Sequence, residues 1–389
     1  MKQDFVERWL TQPEKNAAGR MSLFRIVFGL SYLWFLSGFS YTALYAVPPT
    51  DFAPVALGLW AKTRPSLVFF NLSEMVLIGA LVLLIAGYKT RWMTWIVLIT
   101  GVILEALRFS YGKIDHNTQF LIFFIPFFMA FAHWGSHYSL DSLLNKRKGR
   151  SNVSAANTSW RYIWPAYVLL LFLAFLYFTA FFYKIVRGNW LVDTQLIATL
   201  IREGNLTYSF RTGRENPLNV LLLSVPFLPT VMQWMALAFE GLFPLVLFNK
   251  SLRNFFLASA VIFHAFNWFV LNINFMPLIV TYALFIDWQR LYDVVSTRLG
   301  FGVDTEERSM MRVSVLRVQI GAVVAAGLIA GLWNSPTVTS RTLFNIVSYN
   351  ALWSIVAAVA TVCVLMSLRD GLKWLMGLRL ERPKQQTTP

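Results

Sequence analysis

Charge is scarce in this chain. Lys, Arg, Asp and Glu make up 14% of its 389 residues, where a soluble domain carries roughly a quarter. Cysteine is scarcer still: Cys363 stands alone inside an apolar run, which excludes an internal disulfide and a thiolate-bound metal. There is no Gly-rich phosphate loop and no Gly-x-Ser-x-Gly elbow. No fixed-period repeat is visible. The polar stretches reach only about 30 residues, short of the ~50 a soluble domain needs, so any chemistry must sit among the apolar segments or at their mouths.

What is present is apolar and aromatic. Hydrophobic residues are 57% of the chain, with 34 Phe, 15 Trp and 14 Tyr, and the mean hydropathy is +0.54. They fall in runs of 16 to 32 separated by short charged punctuation, the pattern of repeated bilayer crossings. A soluble enzyme, a secreted disulfide scaffold and a disordered regulator are excluded. The predicted fold is an all-α polytopic integral membrane helix bundle of about eight to ten transmembrane segments, with no sizeable soluble domain. The first apolar stretch, Met21 to Tyr45, is too long for a signal-peptide core and lacks a small-residue cleavage site after it, so it is expected to stay as the first helix.

Ten membrane-embedded segments are predicted: 21–45, 66–87, 92–109, 119–134, 161–186, 218–248, 254–271, 274–288, 316–333 and 349–368. Pro226 and Pro229 make the first part of 218–248 a re-entrant or interfacial piece before the helix proper. As one helix, 255–286 would reach about 48 Å, too long for a ~30 Å hydrocarbon core. Asn272, Asn274 and Pro277 mark its break into two short, tilted helices. With both termini inside, 23 of the 34 Lys and Arg lie in inner segments and nine outside, leaving Arg25 and Lys184 in the membrane. This asymmetry orients the helices and accounts for the net charge of +15 without nucleic acid, for which no module is visible.

The expected organisation is a cytoplasmic segment 1–20, a membrane domain 21–290 with a cytoplasmic linker 135–160 and an outer loop 187–217, a cytoplasmic loop 291–315, two further helices within 316–368, and a basic cytoplasmic tail 369–389. The expected location is the inner membrane of a cell, multi-pass, with lipid as the surrounding partner.

Ionisable groups inside a bilayer are costly and should find partners. Arg25 lies one turn into the first helix, where snorkelling toward the interface is the simpler expectation. Glu105 stands three residues before Arg108, a local helical pair. Glu74 and Glu240 have no local cation and call for a partner on another helix. Lys184 closes the aromatic run YVLLLFLAFLYFTAFFYK. Burial disfavours an ammonium, and a neutral lysine accepts a proton; an interfacial anchor is the other reading of the same spacing. His264 sits mid-segment in FHAFNW with Asn267 three residues on, on the same helix face. His133 and His137 at i, i+4 lack a carboxylate that would specify a metal, so none is predicted.

Four stretches, taken together, resemble the bacterial HTTM (horizontally transferred transmembrane) proteins, relatives of the vitamin K-dependent γ-carboxylase. They are GRMSLFRIVFGL with Arg25 and Gly29, HYSLDSLL with Tyr138, Ser139 and Asp141, YFTAFFYKIVRGNW, and FHAFNWFVLNINFMP. They span roughly residues 19 to 290. In the carboxylase the lysine of the third stretch deprotonates vitamin K hydroquinone, and the position similar to it is Lys184. The departures are specific: Tyr183 stands where the carboxylase has a second lysine, and one extra residue separates Lys184 from Trp190. His116 lies near a functional histidine of the family but out of register. Two apolar segments and a basic tail follow where the carboxylase has a large lumenal domain, which argues against carboxylation of a propeptide-bearing protein.

The resemblance implies an outer-leaflet cavity with Lys184 and His264 as catalytic residues. Tyr177, Phe181, Tyr183, Trp190, Glu240, Asn267 and His116 would bind a reduced quinone of the menaquinone or vitamin K type, or a similar hydrophobic small molecule. The aromatics Phe172, Phe175, Tyr177, Phe178, Phe181, Phe182 and Tyr183 suit a flat ring and suit lipid-facing packing equally. Two other classes stay open: a non-catalytic binding, immunity or assembly protein, and a transporter, against which stands the absence of an inverted repeat.

Overall fold

The computed structural model describes residues 17–112, 117–147, 162–248, 250–273 and 275–286, and eight residues between 354 and 368. Among these, every regular element is helical. In chain order the α-helices are α1, Ala17–Gly38; α2, Leu67–Ala86; α3, Thr90–Phe109; α4, Ile125–Met129; α5, Leu140–Arg147; α6, Trp164–Val186; α7, Leu196–Thr212; α8, Pro217–Ser224; α9, Leu228–Leu242; α10, Lys250–Leu271; and α11, Met276–Ala283. Among the described residues, six helical stretches are long and apolar enough to cross a bilayer: Ala17–Ala46, Leu67–Ala86, Thr90–Phe109, Trp164–Val186, Leu228–Leu247 and Lys250–Leu271. Hydrocarbon offers the backbone no hydrogen-bond partners, so a crossing segment must satisfy its own, which a helix does. The protein is a multi-pass α-helical membrane protein.

Two expected spans are shorter than a crossing. The stretch 119–134 holds a π-helical turn, Phe120–Phe124, running into α4, ten helical residues or about 15 Å. Among the described residues of 274–288, only the eight of α11 are helical. The segment 316–333 lies outside the described residues, and 349–368 is described only at scattered positions.

The chain divides into two units, 1–169 with 276–345 and 170–275 with 346–389. In the first, the α2–α3 turn is a junction fixed by side chains from distant sequence. Ser66 begins α2 by accepting from the Phe69 N–H at 3.2 Å, and Gly87 ends it at φ +74°. A Cβ at Gly87 would also lie 2.8 Å from the Ser139 Cα and 3.0 Å from the Arg25 guanidinium carbon, so both conformation and space demand glycine. Asp141 starts α3, accepting from the Lys89 and Thr90 N–H groups at 2.8 Å each. Arg25 does not snorkel. It is fully buried and donates to the Trp134 and Tyr138 carbonyls at 3.0 and 2.6 Å. Buried backbone outside a regular helix leaves carbonyls without helical donors, and a guanidinium, with five N–H groups, answers several at once.

The acidic residues of this unit have structural work. Glu105 takes Arg108 at 2.5 and 2.9 Å, as the i, i+3 spacing predicts, and also accepts from Tyr41 and Thr118. Glu74 meets hydroxyls and an amide: its Oε2 accepts from Ser40, the Thr42 N–H and the Thr42 hydroxyl at 2.7–3.0 Å, tying α2 to the chain that leaves α1.

In the second unit, the expected outer loop 187–217 contains a helix of 17 residues, α7. Its charged face, Arg202 and Glu203, is exposed, while Ile197, Ala198, Ile201 and Gly204 are buried. Gly204 sits against α10 so closely that a Cβ would lie 3.0 Å from the Leu271 Cα. The prolines act as expected: α8 is a separate short helix, and α9 starts afresh after Phe227. Asn219 on α8 holds two neighbours at once, donating to the Ile201 and Val270 carbonyls at 3.2 and 2.9 Å.

Candidate functional site

The second unit carries its polar side chains on facing helix stripes. On α6, Tyr177, Phe181 and Lys184 recur at i, i+4 and i+7, one face of a helix. Tyr177 is buried, and Phe181 and Lys184 are half-buried. Four other aromatics of the run, Phe175, Phe178, Phe182 and Tyr183, are 46–66% exposed. On α9, Gln233 and Glu240, seven residues apart, are both buried, and on α10 so are His264 and Asn267.

Two polar contacts join these stripes. Lys184 on α6 forms a salt bridge with Glu240 Oε1 on α9. The lysine is the cation from another helix that Glu240 required. The other carboxylate oxygen, Oε2, is buried and has no hydrogen-bond partner among the described residues. About 10 Å along α6, two turns, the Tyr177 hydroxyl and His264 Nε2 are 2.7 Å apart.

Aromatic rings surround the second contact. Tyr177 stacks on Phe243, centroids 3.9 Å apart, with Phe239 edge-on at 5.5 Å. His264 stacks on Phe275 at 4.3 Å. Phe181 lies against Gly241, where a Cβ would come within 2.9 Å of its ring, so the glycine beside Glu240 lets that ring approach.

Trp190 covers Lys184 from the loop after α6, its ring centroid 4.6 Å from Nζ, a cation–π arrangement. The loop turns through Asn189 at φ +55°. Gly188 fits only because it lacks a side chain: a Cβ would lie 2.8 Å from Trp190 Cδ1 and 2.9 Å from the Lys184 carbonyl oxygen. Gln233 pins the loop from α9, its Nε2 donating to the Trp190 and Asp193 carbonyls at 2.6 and 2.8 Å.

Thus Lys184, Glu240 and Trp190 come together, with Phe181 against the same helix as Glu240, and Tyr177 with His264. Asn267 is buried one turn along from His264, on the face the spacing predicted. Tyr183 is 66% exposed, off the Lys184 stripe. His116 lies outside the described residues. Gln233, Phe239, Phe243 and Phe275 were missed. Gln233 had a signal, a polar residue in an apolar helix two turns before Glu240 and so on the same face; the phenylalanines had none among 34. Among the described residues no three of His, Cys, Asp and Glu gather into a metal-binding group.

A lysine–carboxylate pair beside an aromatic layer can hold an anion, donate to an oxygen or exchange a proton with one. No family model, curated protein or solved structure matches the chain. Fold and site define its class, a polytopic α-helical membrane protein with a lysine–glutamate pair inside one unit.

Proposed function

We propose that this is an inner-membrane protein of the HTTM type that binds a quinol, or a similar lipid-soluble hydroxy-aromatic, and takes a proton from it at the Lys184–Glu240 pair. Both termini are cytoplasmic in this reading, with Lys184 toward the outer face. The observation that carries it is the pair itself. An ammonium and a carboxylate from separate helices meet in an apolar surround, with a carboxylate oxygen that has no donor among the described residues. A ligand hydroxyl fits that acceptor. The half-buried Trp190 and Phe181 rings beside the pair are flat apolar surface of the kind an aromatic head group packs on.

The test is oxygen consumption by the purified protein supplied with reduced menaquinone, wild type against Lys184→Ala, with solvent extraction of the wild type for bound quinone. Lysine-dependent uptake is expected. Absence of both uptake and extractable quinone would remove the reading. The salt bridge also favours a second reading, a non-catalytic binding or immunity protein in which the pair only joins α6 to α9. That reading expects Lys184→Met/Glu240→Leu, which strands neither partner, to keep biological function.

A further inference from the structure

The two carboxylate oxygens of Glu240 are not equivalent. Oε1 is committed to Lys184, while Oε2, in a residue only 4% exposed, has no partner among the described residues. A buried carboxylate oxygen without a donor is costly, and a ligand hydroxyl is the donor that would relieve it. Lys184 is placed differently. In the ion pair its nitrogen carries three N–H donors and no lone pair, so it is equipped to stabilise an anion and not to accept a proton.

We propose that Glu240 is the catalytic base of this site and that Lys184 is the cation that first holds Glu240 and then pairs with the oxyanion formed. The proposal rests on the quinol-type reading above and reassigns the chemistry within it. In the step, the ligand O–H bond breaks, its electron pair stays on the ligand oxygen, and the proton forms a new O–H bond at Glu240 Oε2. Before transfer the bundle holds the Lys184 ammonium and the Glu240 carboxylate; afterwards it holds the same ammonium and the ligand oxyanion. One cation and one anion are present throughout, so no charge is left unpaired in the low-dielectric interior, where an unpaired charge is most costly. A proton taken by a neutral Lys184 with Glu240 ionised would instead start from an unpaired carboxylate and end with two anions, Glu240 and the ligand oxygen, sharing one ammonium. Trp190, pinned by Gln233, keeps the ammonium in place from its other side.

The test uses a 2-alkyl-1-naphthol as probe, because its ionised form absorbs at longer wavelength than the neutral one. Bound to wild-type protein in detergent micelles, its apparent pKa is expected to fall by about 2 units relative to protein-free micelles, the scale of one adjacent cation and a matched acceptor. Glu240→Gln keeps the Lys184 ammonium, so there the probe is expected to bind and still ionise readily, whereas in Lys184→Gln the shift is expected to be lost. A shift retained in Lys184→Gln would overturn the role of Lys184 as the cation paired with the oxyanion. Infrared difference spectra of the wild type need no variant: naphtholate formation should be accompanied by a protonated-carboxyl band, and naphtholate without that band would overturn the proposal. Failure of the wild type to bind the naphthol at all removes the quinol-type reading and this assignment with it.

Discussion

Arg25 and Lys184 are the two cations that charge counting left inside the membrane, and the structure gives them opposite employment. Arg25 is spent on backbone: its guanidinium joins carbonyls from residues 134 and 138, more than a hundred positions away. Snorkelling was the economical expectation because one turn from a helix end is within reach of water. That expectation failed because the carbonyls it satisfies become neighbours only on folding. Lys184 is spent on a carboxylate. Removing one partner of a buried pair strands the other, a loss of roughly 3–5 kcal/mol, whereas removing both strands neither. Lys184→Met is therefore expected to lower the thermal unfolding temperature in detergent, and Lys184→Met/Glu240→Leu to recover most of the loss. Losses in Lys184→Met and Glu240→Leu that simply add in the double variant would mean that the pair contributes no coupling.

At the scale of elements, glycine shows how one substitution changes sign with its surroundings. Gly79 lies within α2 with nothing within 4 Å of the Cβ it would gain. Gly79→Ala should stabilise by up to about 1 kcal/mol through helix propensity. Gly204 lies within α7 with the backbone of α10 against it, and backbone cannot step aside as a side-chain tip can. Gly204→Ala should destabilise by about 1–3 kcal/mol. Thermal unfolding of the two variants under one set of conditions checks both, and a shift of the same sign in each would contradict the packing argument. Helix α7 itself was the element least legible in the sequence. Its buried face is short, Ile197, Ala198, Ile201 and Gly204, and polar and charged residues from Arg202 onward break the apolar run well before membrane length. The separation of α8 from α9, by contrast, was written in Pro226 and Pro229.

For the whole molecule, the distribution of Lys and Arg predicts an orientation with both termini inside. A single cysteine at position 205, in a Cys363→Ser background, should be labelled by an impermeant maleimide from the outer side of intact cells. Labelling from the cytoplasmic side alone would reverse the orientation and detach Lys184 from the outer leaflet. The second unit would then present its Lys184–Glu240 pair toward the opposite leaflet, and the quinol reading would lose its premise.

Sequence by itself determined that the chain is α-helical and embedded in a membrane, because apolar run length and charge spacing answer directly to bilayer thickness and to the need to close every backbone hydrogen bond. It also marked Lys184, Glu240 and His264, because an ionisable group in an apolar run is costly wherever it ends up. Only the tertiary structure decided which of them meet. Lys184 and Glu240 are 56 positions apart and Tyr177 and His264 are 87 apart, and such pairings depend on how helices face one another, which the helical period sets only within each helix. The same holds for the aromatic run of α6. Composition made all its rings equivalent, and packing sent Tyr177 inward against Phe243 and Tyr183 outward.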